Sequence, residues 1–283
     1  LRIDLRHYHR NIRCPAVCAV VGNNRCLGLC ICFFNRFDLV FRHINCGKYK
    51  VTEVLSSHSG FEAALCSDVT VNDGTVYIVN EYSSMVYIRE LLHLFCAMEK
   101  QRFRGFRGLI TSSGSFSAVF VYRSGVPFAE YFAERSGDYD TNLGLADSLL
   151  RGALEFDLID DRTAACGLTC ENAVVNAAEG QVYFNMLLDP DRTAGANFRT
   201  KRLGGMLRMM FRTDRYFPDE IAEYIEKMCS GGFRSCTAAY AAWREIQPSA
   251  QKTREAYLKE SLMKYLGRRL RGSIKKRRRR RGA

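Results

Sequence analysis

Few residues of this 283-residue chain have the types and spacing that chemistry requires. His58 and His93 are isolated single histidines and read as ordinary surface or core positions. Asp189, in Leu188-Asp189-Pro190-Asp191, could be offered as a metal ligand, but an aspartate beside proline reads first as a turn or loop cap. Ser112-Ser113-Gly114-Ser115 lacks the G-x-S-x-G frame of a nucleophile elbow. Of twelve cysteines, six fall in the first 46 residues, at Cys14, Cys18, Cys26, Cys30, Cys32 and Cys46. Their C-x3-C and C-x3-C-x-C spacings are not the paired C-x2-C knuckles of a zinc ribbon. With no secretory signal and cleavage site in view, free thiols in a reducing cytosol are expected, Cys166 and Cys170 among them.

One cluster does carry binding chemistry. Lys275, Lys276, Arg277, Arg278, Arg279, Arg280 and Arg281 form an unbroken cationic run that repels itself. The net charge is +12, yet eleven basic and no acidic residues stand between Lys264 and Arg281. Residues 1–46 add seven arginines against Asp4 and Asp38, so the remaining chain is slightly acidic. The basicity therefore belongs to the two ends and not to a folded face. Such a tail attracts acidic lipid at about 1 kcal/mol per residue near the surface, or nucleic-acid phosphates. It would also suit the cytoplasmic flank of a membrane helix beyond Ala283. Within the chain, the longest apolar run, Cys26 to Phe34, is about half the ~18–20 residues a span needs.

The composition, 47% hydrophobic and 25% charged, fits an ordinary globular protein. Residues 1–46 show no period and read as a poorly organised lead-in; since the first residue is Leu1, a fragment or a non-native extension is expected. From Lys48 the pattern sharpens. Tyr49 to Leu55 alternates as a strand, Ser56 to Phe61 reads as a turn, and Ala63 to Cys66 as a second strand. Asn72-Asp73-Gly74 is a hairpin turn before a third strand, Thr75 to Tyr82. Ser83-Ser84 caps a helix from Met85 to Lys100, and two strands follow, Gly108 to Ser112 and Phe116 to Tyr122. The second half reads as helices over Pro127–Glu134, Thr141–Phe156, Leu203–Phe211, Pro218–Cys229, Cys236–Ile246 and Thr253–Leu270. A small strand pair, Ala173–Val175 and Val182–Phe184, interrupts them.

Five strands with a helix after the third, then a helical half broken by a hairpin, is the element order of a protein kinase. The stretch Gly167-Leu168-Thr169-Cys170-Glu171-Asn172-Ala173-Val174-Val175 resembles the kinase catalytic loop H-R-D-L-K-P-E-N and the strand after it, with Leu, Glu and Asn in register. Gly125-Val126-Pro127-Phe128 is similar to the entry into the next kinase helix, and Lys227 to Ser235 to a late turn of the large lobe. The resemblance spans about 200 residues. It implies an α+β, two-lobed protein-kinase-like fold: a small five-stranded lobe with one helix over residues 47–123, a mainly helical lobe over 124–250, and an amphipathic helix with the basic tail over 251–283.

The same register implies that the chemistry is gone. Kinase catalysis is positioning plus electrostatics from a base, a strand-three lysine and metal-holding Asp and Asn. Here the base position is Gly167, the lysine position falls on Val79 or Asn80, and the D-F-G aspartate position is Asn185. Asn172 alone survives. The nucleotide loop, Ser56, His58, Gly60 and Phe61 within Ser56 to Glu62, keeps one glycine, and Glu62 sets negative charge where phosphates would lie. Glu90 stands where the lysine-pairing glutamate would. The resemblance thus implies a degenerate, bacterial-type pseudokinase domain: no enzyme, no cofactor, no magnesium–ATP, and a regulatory or interaction role with a protein partner. A cytoplasmic location is expected, at the inner face of a membrane if the tail is juxtamembrane. The alternatives are an atypical active phosphotransferase, which needs an unidentified base, and a nucleic-acid binder acting through its tail. The last predicts tight, steeply salt-dependent binding that is lost on deleting Lys275 to Arg281, which a salt-titrated binding assay measures.

Overall fold

The computed structural model of the chain describes residues 48–71, 73–100, 103–134, 138–192, 195–211 and 217–260, with Lys264 and Gly267. The lead-in 1–46, Asn72 of the hairpin turn and the tail Lys275–Arg281 lie outside the described residues.

The small lobe opens with β1 (Tyr49–His58), β2 (Phe61–Asp68) and β3 (Val76–Tyr82), each antiparallel to the next. Helix α1 (Met85–Lys100) follows, then β4 (Phe106–Ser112) and β5 (Ser115–Val121). β5 inserts beside β3, giving the sheet order β1-β2-β3-β5-β4. Strand β3 lies inside the sheet and is buried on both faces over most of its length, whereas the edge strand β1 alternates only at its start. Ser84 Oγ accepts the Val86 N–H at 3.3 Å, so the expected serine cap at the start of α1 is in place. Buried Leu91, Phe95 and Met98 turn α1 onto the sheet, where Phe95 meets Phe116 at 5.7 Å and Phe116 stacks on Tyr82 at 4.8 Å.

The stretch Ser56 to Phe61 differs from its reading as a turn. β1 absorbs two bulges, near Thr52 and Leu55, and continues to His58, pairing Ser56 with Ala63, Ser57 with Glu62 and His58 with Phe61. The turn is only Ser59-Gly60, with Gly60 at φ +81°. A Cβ at Gly60 would sit 2.6 Å from the Ser84 Cβ, so the hairpin tip is held against the start of α1 and does not form an open glycine flap.

The chain enters the large lobe through β6 (Val126–Pro127), which pairs with β7 (Ala173–Asn176), itself paired with β8 (Gln181–Phe184). Around this small sheet pack α2 (Phe128–Glu134), α3 (Tyr139–Gly152), a 3-10 turn over Ala153–Leu158, α4 (Asp161–Gly167), α5 (Phe198–Met210), α6 (Asp219–Cys229) and α7 (Cys236–Lys259). Their starts follow capping chemistry. Asp138 accepts the Thr141 N–H, Asp160 that of Thr163, and Ser235 that of Ala238. Asp157 reaches over from the 3-10 turn and accepts the Cys236 and Thr237 N–H groups at 3.0 and 2.8 Å. The lone Trp243 is fully buried beside Tyr224, whose hydroxyl donates to the Ala239 carbonyl. Burying such a side chain contributes about 1.5–3 kcal/mol.

Three helices depart from the sequence pattern. Thr141–Phe156 is not one helix: α3 stops at Gly152 and tightens into 3-10 geometry, which lets Asp157 turn toward α7. α4 was not expected and fills what reads as loop. α7 joins the expected Cys236–Ile246 element to the start of the next and runs through Pro248, which has no N–H to donate to the Arg244 carbonyl. Close helix contact depends on one glycine. A Cβ at Gly204 of α5 would meet the Cys229 backbone nitrogen of α6 at 2.7 Å, whereas one at Gly205 meets nothing within 4 Å. Gly204→Ala is therefore expected to cost about 1–3 kcal/mol by overpacking, and Gly205→Ala to gain up to about 1 kcal/mol from helix propensity. Paired urea denaturation curves check the opposite signs.

Candidate functional site

Three asparagines converge where the two lobes meet, each at a position picked out from the sequence. Asn80 lies on the β3 face shared with Ala63 and Ala118, its cross-strand partners in the core, and is fully buried. Its neighbour Val79 is buried on the opposite face, so Asn80 is the residue that meets the large lobe. The Asn80 amide donates to the Met186 carbonyl and accepts the Leu188 N–H, both at 2.9 Å. Tyr82, two residues on, donates to the Leu188 carbonyl at 2.8 Å. From the large lobe, the Asn172 amide nitrogen faces three carbonyl oxygens, those of Cys166, Gly167 and Leu187, at 3.0–3.1 Å. The Asn172 carbonyl accepts the Asn185 N–H at 2.7 Å.

Asn185 completes the set. Its amide oxygen accepts the Arg123 N–H at 2.8 Å, and its nitrogen donates to the Arg123 carbonyl at 2.9 Å. Arg123 belongs to the linker between lobes, so this two-point amide pairing occupies both the donor and the acceptor of its backbone. The segment 185–188 is neither helix nor strand. Its buried backbone polar groups must find partners outside regular structure, and these side chains supply them.

Gly167 is not an empty base position facing a cavity. It is the last residue of α4 and is buried. A Cβ there would stand 2.8 Å from Phe156 Cε1 and 3.0 Å from Met186 Cε. The sequence places it in an open catalytic loop; the structure places it under a phenyl ring and a thioether, because α4 extends through it. Arg202 of α5 holds the end of α4 by donating to the Ala165 and Leu168 carbonyls.

The remaining candidates are distributed. Ser56 lies within β1, and Phe61 is fully buried against Tyr82 at 5.3 Å, so the supposed nucleotide loop is a packed hairpin. Glu90 pairs with Arg162 of α4 at the surface. Burial raises the Cys166 thiol to about 11, with the Asp189 carboxylate adding to it. Burial likewise raises Cys170, so both thiols stay protonated and unreactive. Asp189 forms the expected turn, accepting the Asp191 N–H, and also meets His58 Nε2 at 3.2 Å. Tyr82, Tyr87 and Asp191 carry no sequence signal, since each works only through residues about a hundred positions away. Two cavities of about 680 and 570 Å³ open in the large lobe, the first around Arg162, Arg192, Arg199 and Arg234, the second around Cys170, Arg202 and Met206. Neither is lined by Asn80, Asn172 or Asn185.

Asn172→Ala leaves three carbonyls without their donor and is expected to cost about 2–4 kcal/mol, each buried unsatisfied group costing ~1–3. Asn172→Asp is expected to be worse at neutral pH, because an ionised carboxylate cannot donate to carbonyls. Gly167→Asp, which would restore a base by name, is expected to destabilise by ~3 kcal/mol or more without conferring phosphate transfer. Denaturation of the three variants beside the parent chain checks this ranking.

No protein-family profile matches the sequence, and no curated protein matches it. Among solved structures, a double mutant of the PknI kinase domain from Mycobacterium tuberculosis aligns at 12% identity and TM-score 0.49, over 70% of this chain and 95% of that one. Rad53 in complex with AMP-PNP aligns at 12% identity and TM-score 0.52, over 74% of this chain and 69% of that one. Together with a five-stranded antiparallel lobe carrying one helix, stacked on a helical lobe with its own small sheet, this establishes that the chain has a two-lobed protein-kinase-like fold.

Proposed function

We propose that this chain is a catalytically silent kinase-like domain that works as an interaction or regulatory module. The observation that carries the reading is the use made of the degenerate positions. Asn80, Asn172 and Asn185 are committed to backbone groups of the 185–188 segment and the linker, and a side chain at Gly167 would have to displace Phe156 or Met186. Phosphoryl transfer asks for groups aimed into a cavity, with charge to grip metal and phosphate. Here neutral amides face protein backbone instead. A nucleotide would have to break the Asn185–Arg123 pairing and would find no lysine on β3 to meet its phosphates.

The fold then serves through its surfaces. A protein partner fits this use best, since the lobes are held in one arrangement by buried hydrogen bonds and present a fixed shape. Among the described residues no helix is long and apolar enough to cross a membrane. A tail-mediated contact with acidic lipid would act beside the domain, not through it.

Purified full chain with magnesium and ATP is expected to show no phosphate incorporation into itself or a basic protein substrate, and no thermal shift with ATP. Transfer that scales with chain concentration and is competed by a non-hydrolysable nucleotide would overturn the reading.

A further inference from the structure

His58 stands between two carboxylates that come from a part of the chain 131 residues away. Its Nε2 lies 3.2 Å from Asp189 Oδ1 and its Nδ1 3.9 Å from Asp191 Oδ2. One ligand atom from each of the three residues lies within 4.8 Å of the others. The imidazole is about one-third exposed, and Asp189 less so. Tyr87 of α1 donates to Asp191 Oδ1 at 2.7 Å, and the Asp191 N–H donates to Asp189 Oδ1 at 3.0 Å. His58 itself packs on Phe61, ring centroids 5.1 Å apart. The group thus joins three elements: the β1–β2 hairpin, α1 and the turn after the 185–188 segment.

A neutral imidazole has one nitrogen that donates and one that accepts. With a carboxylate at each nitrogen, the ring and the two aspartates turn three metal-ligating groups toward one another. We propose that His58, Asp189 and Asp191 form a binding site for a divalent transition metal of the zinc type, which pins the hairpin tip to the turn. One imidazole and two carboxylates are a donor set for zinc or its first-row neighbours, whereas calcium and magnesium prefer oxygen alone. In a tetrahedral zinc site with bonds of about 2.0–2.2 Å, ligand atoms approach more closely than 4.8 Å, so the three side chains would close in around the ion on binding. Tyr87 would orient the Asp191 carboxylate from outside, as hydrogen-bonded neighbours of metal ligands do. The site leaves a coordination position for water. It is independent of whether the cleft transfers phosphate, because none of its residues takes part in the asparagine network.

The test uses the full chain, stripped with a chelator and titrated calorimetrically with Zn²⁺. The parent chain is expected to bind one equivalent more than His58→Gln, Asp189→Asn or Asp191→Asn, and the parent alone to gain thermal stability from that equivalent. Tyr87→Phe is expected to keep the equivalent with affinity weakened about tenfold. Metal held by cysteines elsewhere is told apart by a parallel Co²⁺ titration, in which thiolate ligation gives intense near-ultraviolet charge-transfer absorption that must be the same in parent and variants. Asn at 189 retains the oxygen that accepts the Asp191 N–H, and His58 is at the hairpin surface, so His58→Gln reads the site even if an aspartate variant folds poorly. Equal stoichiometry and affinity in the parent and in His58→Gln would overturn the proposal. So would a clasp between hairpin and turn that tightens with falling pH, by protonation of the ring, while ignoring Zn²⁺.

Discussion

The four-residue run from Asn185 to Leu188 follows β8 and lies against β3 of the small lobe without belonging to helix or sheet, and it is largely buried. The Asn185 and Leu187 N–H groups find backbone carbonyls, those of Asn172 and Asn185; the other buried polar groups of its backbone have to be met by a side chain or left unmet at about 1–3 kcal/mol. The Met186 carbonyl and the Leu188 N–H go to Asn80, the Leu188 carbonyl to Tyr82, and the Leu187 carbonyl to Asn172. The Asn185 side chain, in turn, ties the run to the linker at Arg123. The relative placement of the lobes depends on this exchange.

That constraint explains the residue types as well as their positions. Asn80 both donates and accepts. A lysine at the same point on β3 could donate to Met186 but has no acceptor for the Leu188 N–H. An aspartate at Asn185 could accept from Arg123 but not donate to its carbonyl. Carboxamides are the side chains that fit a backbone edge on both sides, and this chain uses one in that way at Asn80 and at Asn185. At Asn80 and Asn185 the carboxamide holds the protein's own backbone, and it does so without the cost of burying an uncompensated ion.

The packing around Gly167 follows from the same economy of space. Once α4 continues through it, the position lies in the core beside Phe156 and Met186, and any larger substituent has to displace one of these side chains. Further contacts between the lobes lie nearer the surface: Glu90 of α1 meets Arg162 of α4, and His58 at the hairpin tip meets the turn at Asp189. The lobes are therefore joined at the centre by buried amide hydrogen bonds and nearer the rim by polar pairs, of which the exposed Glu90–Arg162 ion pair is weakened by solvent.

Period and punctuation in the sequence were enough for the element order and the two-lobed class. The strand-like run Thr75–Tyr82, the serine cap before Met85 and the apolar spacing of the later helices are local properties, set within a few residues of each position. The same holds for the absence of a side chain at Gly167 and of charge at Asn80 and Asn185. What these positions do was not legible. The hairpin read as an open loop because serines and a histidine there look like turn residues, until β2 supplies partners that carry β1 on to His58. Gly167 read as a vacancy because steric crowding by Phe156 and Met186 has no local trace. Asn80, Tyr82, Tyr87 and Asp191 find their partners more than a hundred residues away. A one-dimensional pattern records which groups a residue offers. Only the folded chain decides which groups it faces, because hydrogen bonds and close contacts act over a few ångströms of space, whatever the separation along the backbone.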